Sequence, residues 1–149
     1  MSSRQAKELL IYENEMFSLE QSAACPIPGY LILRLKGPEA SLAQLSKKTA
    51  QLLGVMLKRV TNAIEQAVKP ERVYVLSFCE IEPRLHFHLF PRTAWLLKEY
   101  FKANDCANDP VNGPMLFEWA RSAFGPGSHV PQGTPDMETA CGIMRDILK

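Results

Sequence analysis

The chain has no long apolar run and almost no net charge, and each absence excludes a class of function. No apolar stretch approaches the roughly 20 residues that a membrane-spanning helix needs. The charged side chains nearly cancel, which leaves a formal net charge of +1. Such a balance indicates no general attraction to nucleic acid polymers or to anionic membranes. We therefore expect neither as a partner, and we expect any bound anion to be held at a local site.

Cysteine is also scarce, and its spacing is uninformative for metal binding. The four cysteines are widely separated and include no C-x-x-C pair. The first fifteen residues, MSSRQAKELLIYENE, lack the apolar core of a signal peptide. Both features favour a reduced, cytoplasmic protein with free thiols over a disulfide framework.

What is present is enough apolar sequence for one core. The chain has 149 residues, of which 46% are hydrophobic, so it fits one globular domain and leaves little room for a second. We predict a single domain over residues 1–149. Its core spans about residues 11–93, and a C-terminal extension spans about residues 94–149.

Hydrophobic periodicity predicts an α+β core. Apolar residues at three- and four-residue steps after Ser41 predict one long helix, and Lys69-Pro70 ends it. Strand-like runs lie on both sides of this helix, and the first two are separated by a proline-rich connection. In chain order, the predicted core elements are strands at Ile11–Glu20 and Tyr30–Lys36, a helix from Ser41 to about Val68, and strands at Arg72–Cys79 and Arg84–Arg92.

The sequence beyond Thr93 differs from the core in its high proline content. Five of the 11 prolines fall between Pro110 and Pro135, which favours irregular chain between short helices. Helical patterns remain at Ala94–Ala103, Pro114–Phe124 and Asp136–Leu148. Both a lid over a site and an extension of a dimer contact fit this segment.

Two of the three histidines lie two residues apart in a strand-like run, Arg84-Leu-His86-Phe-His88-Leu-Phe-Pro-Arg92. Side chains alternate along a strand, so Arg84, His86 and His88 are predicted to share one face while the residues between them face the core. Imidazole transfers protons near neutral pH and also acts as a nucleophile or a metal ligand. The sequence therefore places its candidate chemistry on this strand.

The order and spacing of these residues resemble a known family. The run ending in Pro91-Arg92 resembles the His-φ-His-φ-His-φ-φ strand motif of the histidine triad superfamily, with Arg84 in place of the first histidine. Pro28-Gly29-Tyr30 resembles the Gly-His start of an earlier strand, with Tyr30 in place of the histidine. The resemblance covers about Tyr12 to Arg92. It implies an α+β fold of the histidine triad type, with an antiparallel sheet of about four to five strands, one long helix and a helical or irregular C-terminal extension.

The resemblance also implies an activity. Histidine triad enzymes are nucleotide hydrolases or nucleotidyl transferases that act at the α-phosphate of a dinucleoside polyphosphate, a nucleotide ester or a phosphoramidate. His86 stands at the position of the nucleophile, so the resemblance implies that it forms a nucleotidyl-histidine, which water then hydrolyses. Such a nucleophile needs one free ring nitrogen, and a backbone carbonyl, for example a neighbouring one on the same strand, or another acceptor would hold the proton of the other. His88 matches the position that contacts the phosphate or manages protons at the leaving group.

Three further positions are implied to bind substrate. Arg84 would act as an anion clamp on phosphate, although it transfers no proton. Tyr30 would donate a hydrogen bond. The ribose contact falls on Gln21, or on Ser22 with a one-residue change in alignment, and we favour Gln21. The acidic stretch before the motif would repel a polyphosphate unless Arg84 or a cation lies between them.

The implied partner is a nucleotide or dinucleotide, and the family commonly forms homodimers, so a homodimer is expected. No cofactor is required for the covalent step, and a divalent cation would enter only with a polyphosphate substrate. No metal site is predicted. The competing interpretation of the histidines is a zinc site completed by His129 or Glu82.

A second function remains open. The chain fits a catalytically silent domain that keeps the fold and binds nucleotide, or another partner, after losing part of the triad. Two nearby residues also have alternative interpretations. Cys79 is either a reactive thiol or a small core residue, and Trp95 is either a core aromatic or the border of a base pocket.

Overall fold

Five antiparallel strands form one sheet, which confirms the predicted α+β class. A computed structural model describes residues 7–107 and 109–149 of the chain. The sheet order is β1-β2-β3-β5-β4, so β5 lies between β3 and the edge strand β4. The strands are β1 (Leu10–Glu13), β2 (Phe17–Gln21), β3 (Leu31–Leu35), β4 (Arg72–Leu76) and β5 (His86–Arg92).

Within residues 7–107 and 109–149, four helices of eleven or more residues lie on the two faces of this sheet. The first is the predicted long helix, and the other three come from the C-terminal segment. The proline at the start of the third helix is tolerated because the first backbone N–H groups of a helix have no intrahelical partner. The helices are α1 (Lys47–Val68), α2 (Ala94–Asn104), α3 (Gly113–Ala123) and α4 (Met137–Leu148).

The first predicted strand is two strands in the structure. The side-chain oxygen of Asn14 accepts hydrogen bonds from the backbone N–H groups of Met16, at 2.9 Å, and Phe17, at 2.8 Å. These bonds form a tight turn, which is a common use of asparagine. The segment Ile11–Glu20 therefore folds into an antiparallel pair, β1 and β2, rather than one strand.

The long helix begins later than its pattern predicts. Ser41 precedes only a short 3-10 turn, Leu42–Gln44. The cap of α1 is Ser46, whose hydroxyl accepts the backbone N–H of Thr49 at 3.1 Å. Both serines have the side chain that favours an N-cap, so composition does not distinguish them.

The two faces of the sheet carry separate cores. The first core packs α1 and α4 against the face that holds Leu33, Phe87 and Leu89. The second packs α2 and α3 against Ile32 and Phe90 on the opposite face. The segment after Thr93 thus contributes to both cores, and its helices cover the sheet.

A buried glutamine holds the connection between β2 and β3. Gln21 is 1% exposed, and its side-chain nitrogen donates to the carbonyl of Ile27 at 2.9 Å. Its side-chain oxygen accepts the N–H of Gly29 at 3.0 Å. Gly29 has φ +84°, and a β-carbon there would lie 3.0 Å from Val68 at the end of α1. Gln21 and Gly29 therefore fix the chain just before Tyr30.

Within the described residues, no helix is both long and apolar enough to cross a membrane. All four cysteines are free thiols, as the spacing predicted. Two of them, Cys25 and Cys141, are buried, and burial raises the pKa of the Cys25 thiol to about 11.

We predict that Gln21→Leu destabilises the fold by about 2 kcal/mol, because it leaves the Gly29 N–H buried without a partner and removes one of the two donors to the Ile27 carbonyl. Urea unfolding followed by circular dichroism measures the change. Gln66→Leu is the control, because Gln66 is exposed on α1 and bonds only another exposed side chain. It should change the free energy of unfolding by less than about 0.5 kcal/mol. Equal effects from the two variants would show that Gln21 does not anchor the loop.

Candidate active site

His86 is held by the backbone at the start of β5. Its Nδ1 lies 2.9 Å from the carbonyl oxygen of Arg84. A carbonyl only accepts hydrogen bonds, so the neutral imidazole carries its proton on Nδ1 and keeps the lone pair on Nε2. The Nε2 of His86 is therefore the free nitrogen that a nucleophile requires.

The backbone of His86 is fixed from the loop that follows β4. The Ser77 hydroxyl donates to the carbonyl of His86 at 2.8 Å. Cys79 lies beside it, with its sulfur 3.4 Å from the Ser77 oxygen and 3.7 Å from Nδ1 of His86. Cys79 is half-buried and packs against the first core, next to the site.

His88 is held by Tyr30. The Tyr30 hydroxyl lies 2.8 Å from Nδ1 of His88. Tyr30 as a whole residue is 1% exposed. Burial raises the pKa of Tyr30 to about 12, so the hydroxyl keeps its hydrogen at neutral pH. When that hydroxyl donates to Nδ1, the proton of neutral His88 lies on Nε2. The two histidines then present opposite functions, a lone pair on His86 and an N–H on His88.

His88 is neutral at physiological pH. Burial is the largest cause that lowers its pKa to about 4, and electrostatic repulsion from His86, Arg121 and Arg34 contributes to the same shift. Its neutral Nε2–H is still a hydrogen-bond donor. It does not supply a full positive charge to the site.

The two imidazoles share one face, as alternation predicted. Their ring centroids are 5.2 Å apart, and His88 also contacts the ring of Phe117 at 6.1 Å. Phe117 comes from α3, in the segment that had no counterpart in the family motif. It closes one end of the histidine row with apolar surface.

The third member of the predicted row behaves differently. Arg84 precedes β5, and its guanidinium donates to both carboxylate oxygens of Glu82, at 3.0 and 3.3 Å. The hydrogen bond from Arg84 also holds the pKa of Glu82 below its usual range. The predicted anion clamp is thus neutralised by its neighbour. Arg84 contributes its backbone carbonyl to the site.

Two other predicted substrate contacts are internal to the protein. Tyr30 is buried and acts through His88, so it is a positioning residue in this geometry. Gln21 is buried and its amide is occupied by backbone groups, so it presents no free atom to a ribose. The alternative, Ser22, is also buried and accepts the N–H of Cys25 at 3.3 Å. These bonds occupy the polar groups on which the predicted ribose contact depends, and that contact stays a prediction.

A small cavity of about 240 Å³ lies at the Arg84 end of the row. It is lined by three cations, and each has a carboxylate partner. Arg34 pairs with Glu20, and Lys36 pairs with Glu13 at 2.7 Å. The Arg84–Glu82 pair completes the set. This end of the site carries little unbalanced positive charge.

A larger cavity, of about 810 Å³, is lined by none of the site histidines. It lies at the start of α4 and includes Arg145 and Glu138. The Arg145 guanidinium donates to the carbonyl of Leu10 at 2.9 Å and to that of Glu8. This arginine therefore supports the backbone at the start of the first strand.

The structure gives no support to a zinc site. Among the described residues, no group of three or more histidine, cysteine or acidic side chains is placed to hold a metal ion. His129 is exposed in the loop before α4, and Glu82 pairs with Arg84.

Trp95 packs against Phe124, with their ring centroids 5.5 Å apart, within the second core.

Two residues near the histidines were missed from the sequence. Arg34 is the polar residue in the apolar run of β3 and lies opposite His86 in the sheet register. Its isolation among leucines was a usable signal. Arg121 projects from α3 and has its guanidinium 5.4 Å from the centre of the Phe117 ring. No local pattern marks Arg121, because its position depends on how α3 packs.

No family model matches the chain, and no curated protein does. Solved structures do. A histidine triad protein from Bradyrhizobium japonicum aligns over 100% of this chain and 97% of its own, at 16% identity and a TM-score of 0.62. A hypothetical histidine triad nucleotide-binding protein from Sulfolobus tokodaii covers 94% of this chain and 83% of its own, at 16% identity and a TM-score of 0.57.

A zinc-bound histidine triad family protein from Mycobacterium smegmatis aligns with the same coverage, at 16% identity and a TM-score of 0.56. At these identities the likeness is one of fold. The chain therefore has the fold of the histidine triad proteins, as its strand motif predicted.

Proposed function

We propose that this protein is a nucleotide hydrolase or nucleotidyl transferase that acts at the α-phosphate of a dinucleoside polyphosphate, a nucleotide ester or a phosphoramidate. The observation that carries the proposal is the hydrogen bond from His86 Nδ1 to the Arg84 carbonyl, which leaves Nε2 with a lone pair. The nucleotide-binding name of the Sulfolobus tokodaii neighbour supports the same substrate class.

In the proposed reaction, the Nε2 lone pair of His86 attacks the α-phosphorus. A nitrogen–phosphorus bond forms, the bond from phosphorus to the leaving group breaks, and the leaving group takes that electron pair; an amine leaving group also takes a proton from solvent. Water then attacks the same phosphorus and loses a proton to solvent. The nitrogen–phosphorus bond breaks, and its electron pair returns to Nε2 of His86. His88 donates its Nε2–H to a phosphate oxygen, and Tyr30 holds His88 in that orientation.

No cofactor takes part in these steps. A divalent cation would enter only with a polyphosphate substrate, and it would shield the charge of that substrate from the carboxylates of Glu80 and Glu82. We propose no ribose contact from Gln21 or Ser22, because their polar atoms are already bonded within the β2–β3 loop.

A silent nucleotide-binding domain is the second candidate, and a specific observation favours it. Arg84 stands at the first triad position, and its guanidinium is paired with Glu82. A neutral His88 also supplies no strong acid for a poor leaving group. Binding without turnover is the outcome that distinguishes this candidate.

We also propose a cytoplasmic homodimer. The edge strand β4 and the loop after it expose apolar side chains, with Val75 46%, Phe78 61% and Ile81 98% exposed. An unpaired edge with apolar side chains is suited to contact with a second copy. Sedimentation equilibrium should show that the wild type is a dimer. Val75→Lys should weaken this dimer, because it places a charge on the apolar edge. A wild-type monomer at micromolar concentration would contradict the proposal. Free thiols fit the reducing cytoplasm.

The nucleophile is tested by His86→Ala. Release of nucleoside monophosphate from diadenosine polyphosphates, nucleotide esters and adenosine phosphoramidate should fall at least about a thousandfold, while nucleotide binding persists. Monophosphate release is measured by chromatography. His129→Ala is the matched control, because His129 lies exposed in a loop, and it should keep full activity. A wild-type protein that binds nucleotide but hydrolyses none of the panel would replace the enzyme proposal with the silent domain.

The state of His88 is tested by nitrogen-15 NMR of its ring. We expect a neutral Nε2–H tautomer at pH 7 and a titration midpoint near the pKa of about 4. Since the folded pKa lies below the unfolded value of about 6.5, the stability from neutral His88 is complete above that pH. It is lost as the pH falls towards about 4. A midpoint near 6.5, or an Nδ1–H tautomer, would contradict this assignment.

A further inference from the structure

Three arginines surround the histidine row, and they differ in their partners. Arg34 pairs with Glu20, and Arg84 pairs with Glu82. Among the residues that the structure describes, Arg121 has no carboxylate oxygen within 4.0 Å. Arg121 is therefore the cation near the histidines whose charge is not balanced by an ion pair.

The packing of α3 places Arg121 at the His88 end of the row. Phe117 lies one helical turn before Arg121 and contacts the rings of Tyr30, at 6.0 Å, and His88, at 6.1 Å. The Arg121 guanidinium lies 5.4 Å from the centre of that same Phe117 ring. Phe117 is thus the direct link between the arginine and the histidine.

The same turn of α3 is held against the loop before Tyr30. The Cys25 thiol donates to the carbonyl of Ala120 at 3.7 Å, and both residues are buried in the second core. The positive charge of Arg121 also acts on Tyr30 and His88: it opposes the effect of burial on the pKa of Tyr30 and adds to the lowering of the pKa of His88 by burial. A cation-π contact and a fixed helix therefore keep an exposed charge directed to this end of the site.

We propose that Arg121 binds the phosphate on the leaving-group side of the substrate. The inference rests on the proposed function, since it assigns a residue to the same site. An anionic leaving group needs a positive charge as the bond to the α-phosphorus breaks. Neutral His88 supplies a hydrogen bond, and the paired arginines supply little net charge. The planar guanidinium of Arg121 can bind two phosphate oxygens at once.

The experiment compares binding of AMP with binding of the α,β-methylene analogue of ADP, whose bridge resists cleavage. Isothermal titration calorimetry on the full chain measures both. The wild type should bind the diphosphate analogue more tightly than AMP. Arg121→Ala should weaken binding of the diphosphate analogue about tenfold and that of AMP less than about twofold. Arg121→Lys should recover part of the loss, because it keeps the charge without the planar fork.

Lys102→Ala controls for the loss of one positive charge. Lys102 is exposed on the last turn of α2, so its removal should leave both affinities unchanged. Thermal denaturation checks that Arg121→Ala remains folded, and its melting temperature should stay close to that of the wild type because Arg121 is exposed. If Arg121→Ala unfolds, Arg121→Lys and Arg121→Gln take its place.

Two results would overturn the inference and leave the proposed function intact. One is an unchanged difference between AMP and the diphosphate analogue in Arg121→Ala, while His86→Ala still abolishes hydrolysis. The other is a loss of the diphosphate preference in Arg84→Ala alone, which would place the second phosphate at the opposite end of the row. If the wild type binds neither ligand, both the inference and the proposed function fail.

Discussion

The antiparallel pairing of β3 with β5 is the constraint on which the site depends. Its register sets Arg34 opposite His86 and Ile32 opposite His88. Tyr30 immediately precedes β3, so the same pairing brings its hydroxyl to His88. Since alternation sends the neighbouring leucines into the first core, a one-residue shift would exchange the polar and apolar faces. The buried apolar face therefore fixes the position of the histidines.

The departures from the family motif change which groups orient the two histidines and which group supplies positive charge. The first triad position contributes a carbonyl from Arg84 rather than a side chain, and that carbonyl is enough to fix the proton of His86 on Nδ1. The tyrosine at the Gly-His position is buried, and it orients His88 while keeping its own proton. A site built this way retains a nucleophile and a hydrogen-bond donor. Its unbalanced positive charge comes from the C-terminal segment, through Arg121.

The sequence predicted the parts of the fold that follow from local periodicity. Strand alternation identified the face shared by His86 and His88, and the three- and four-residue spacing identified the long helix. Local patterns did not reveal the Asn14 turn, because an asparagine among polar residues has several uses. They also missed the Glu82 partner of Arg84, since an exposed charge can pair in several directions. The contacts of Phe117 and Arg121 depend on how α3 packs across the sheet, which no single segment encodes.

The most direct test of the account is the mass of the intact protein after brief exposure to an adenosine phosphoramidate or another reactive nucleotide. The account predicts a covalent adduct equal to one nucleotidyl group, mapped by peptide sequencing to His86 and absent from His86→Ala. An adduct on His88 or Cys79, or no adduct in a protein that hydrolyses the same nucleotide, would contradict a nucleophilic His86.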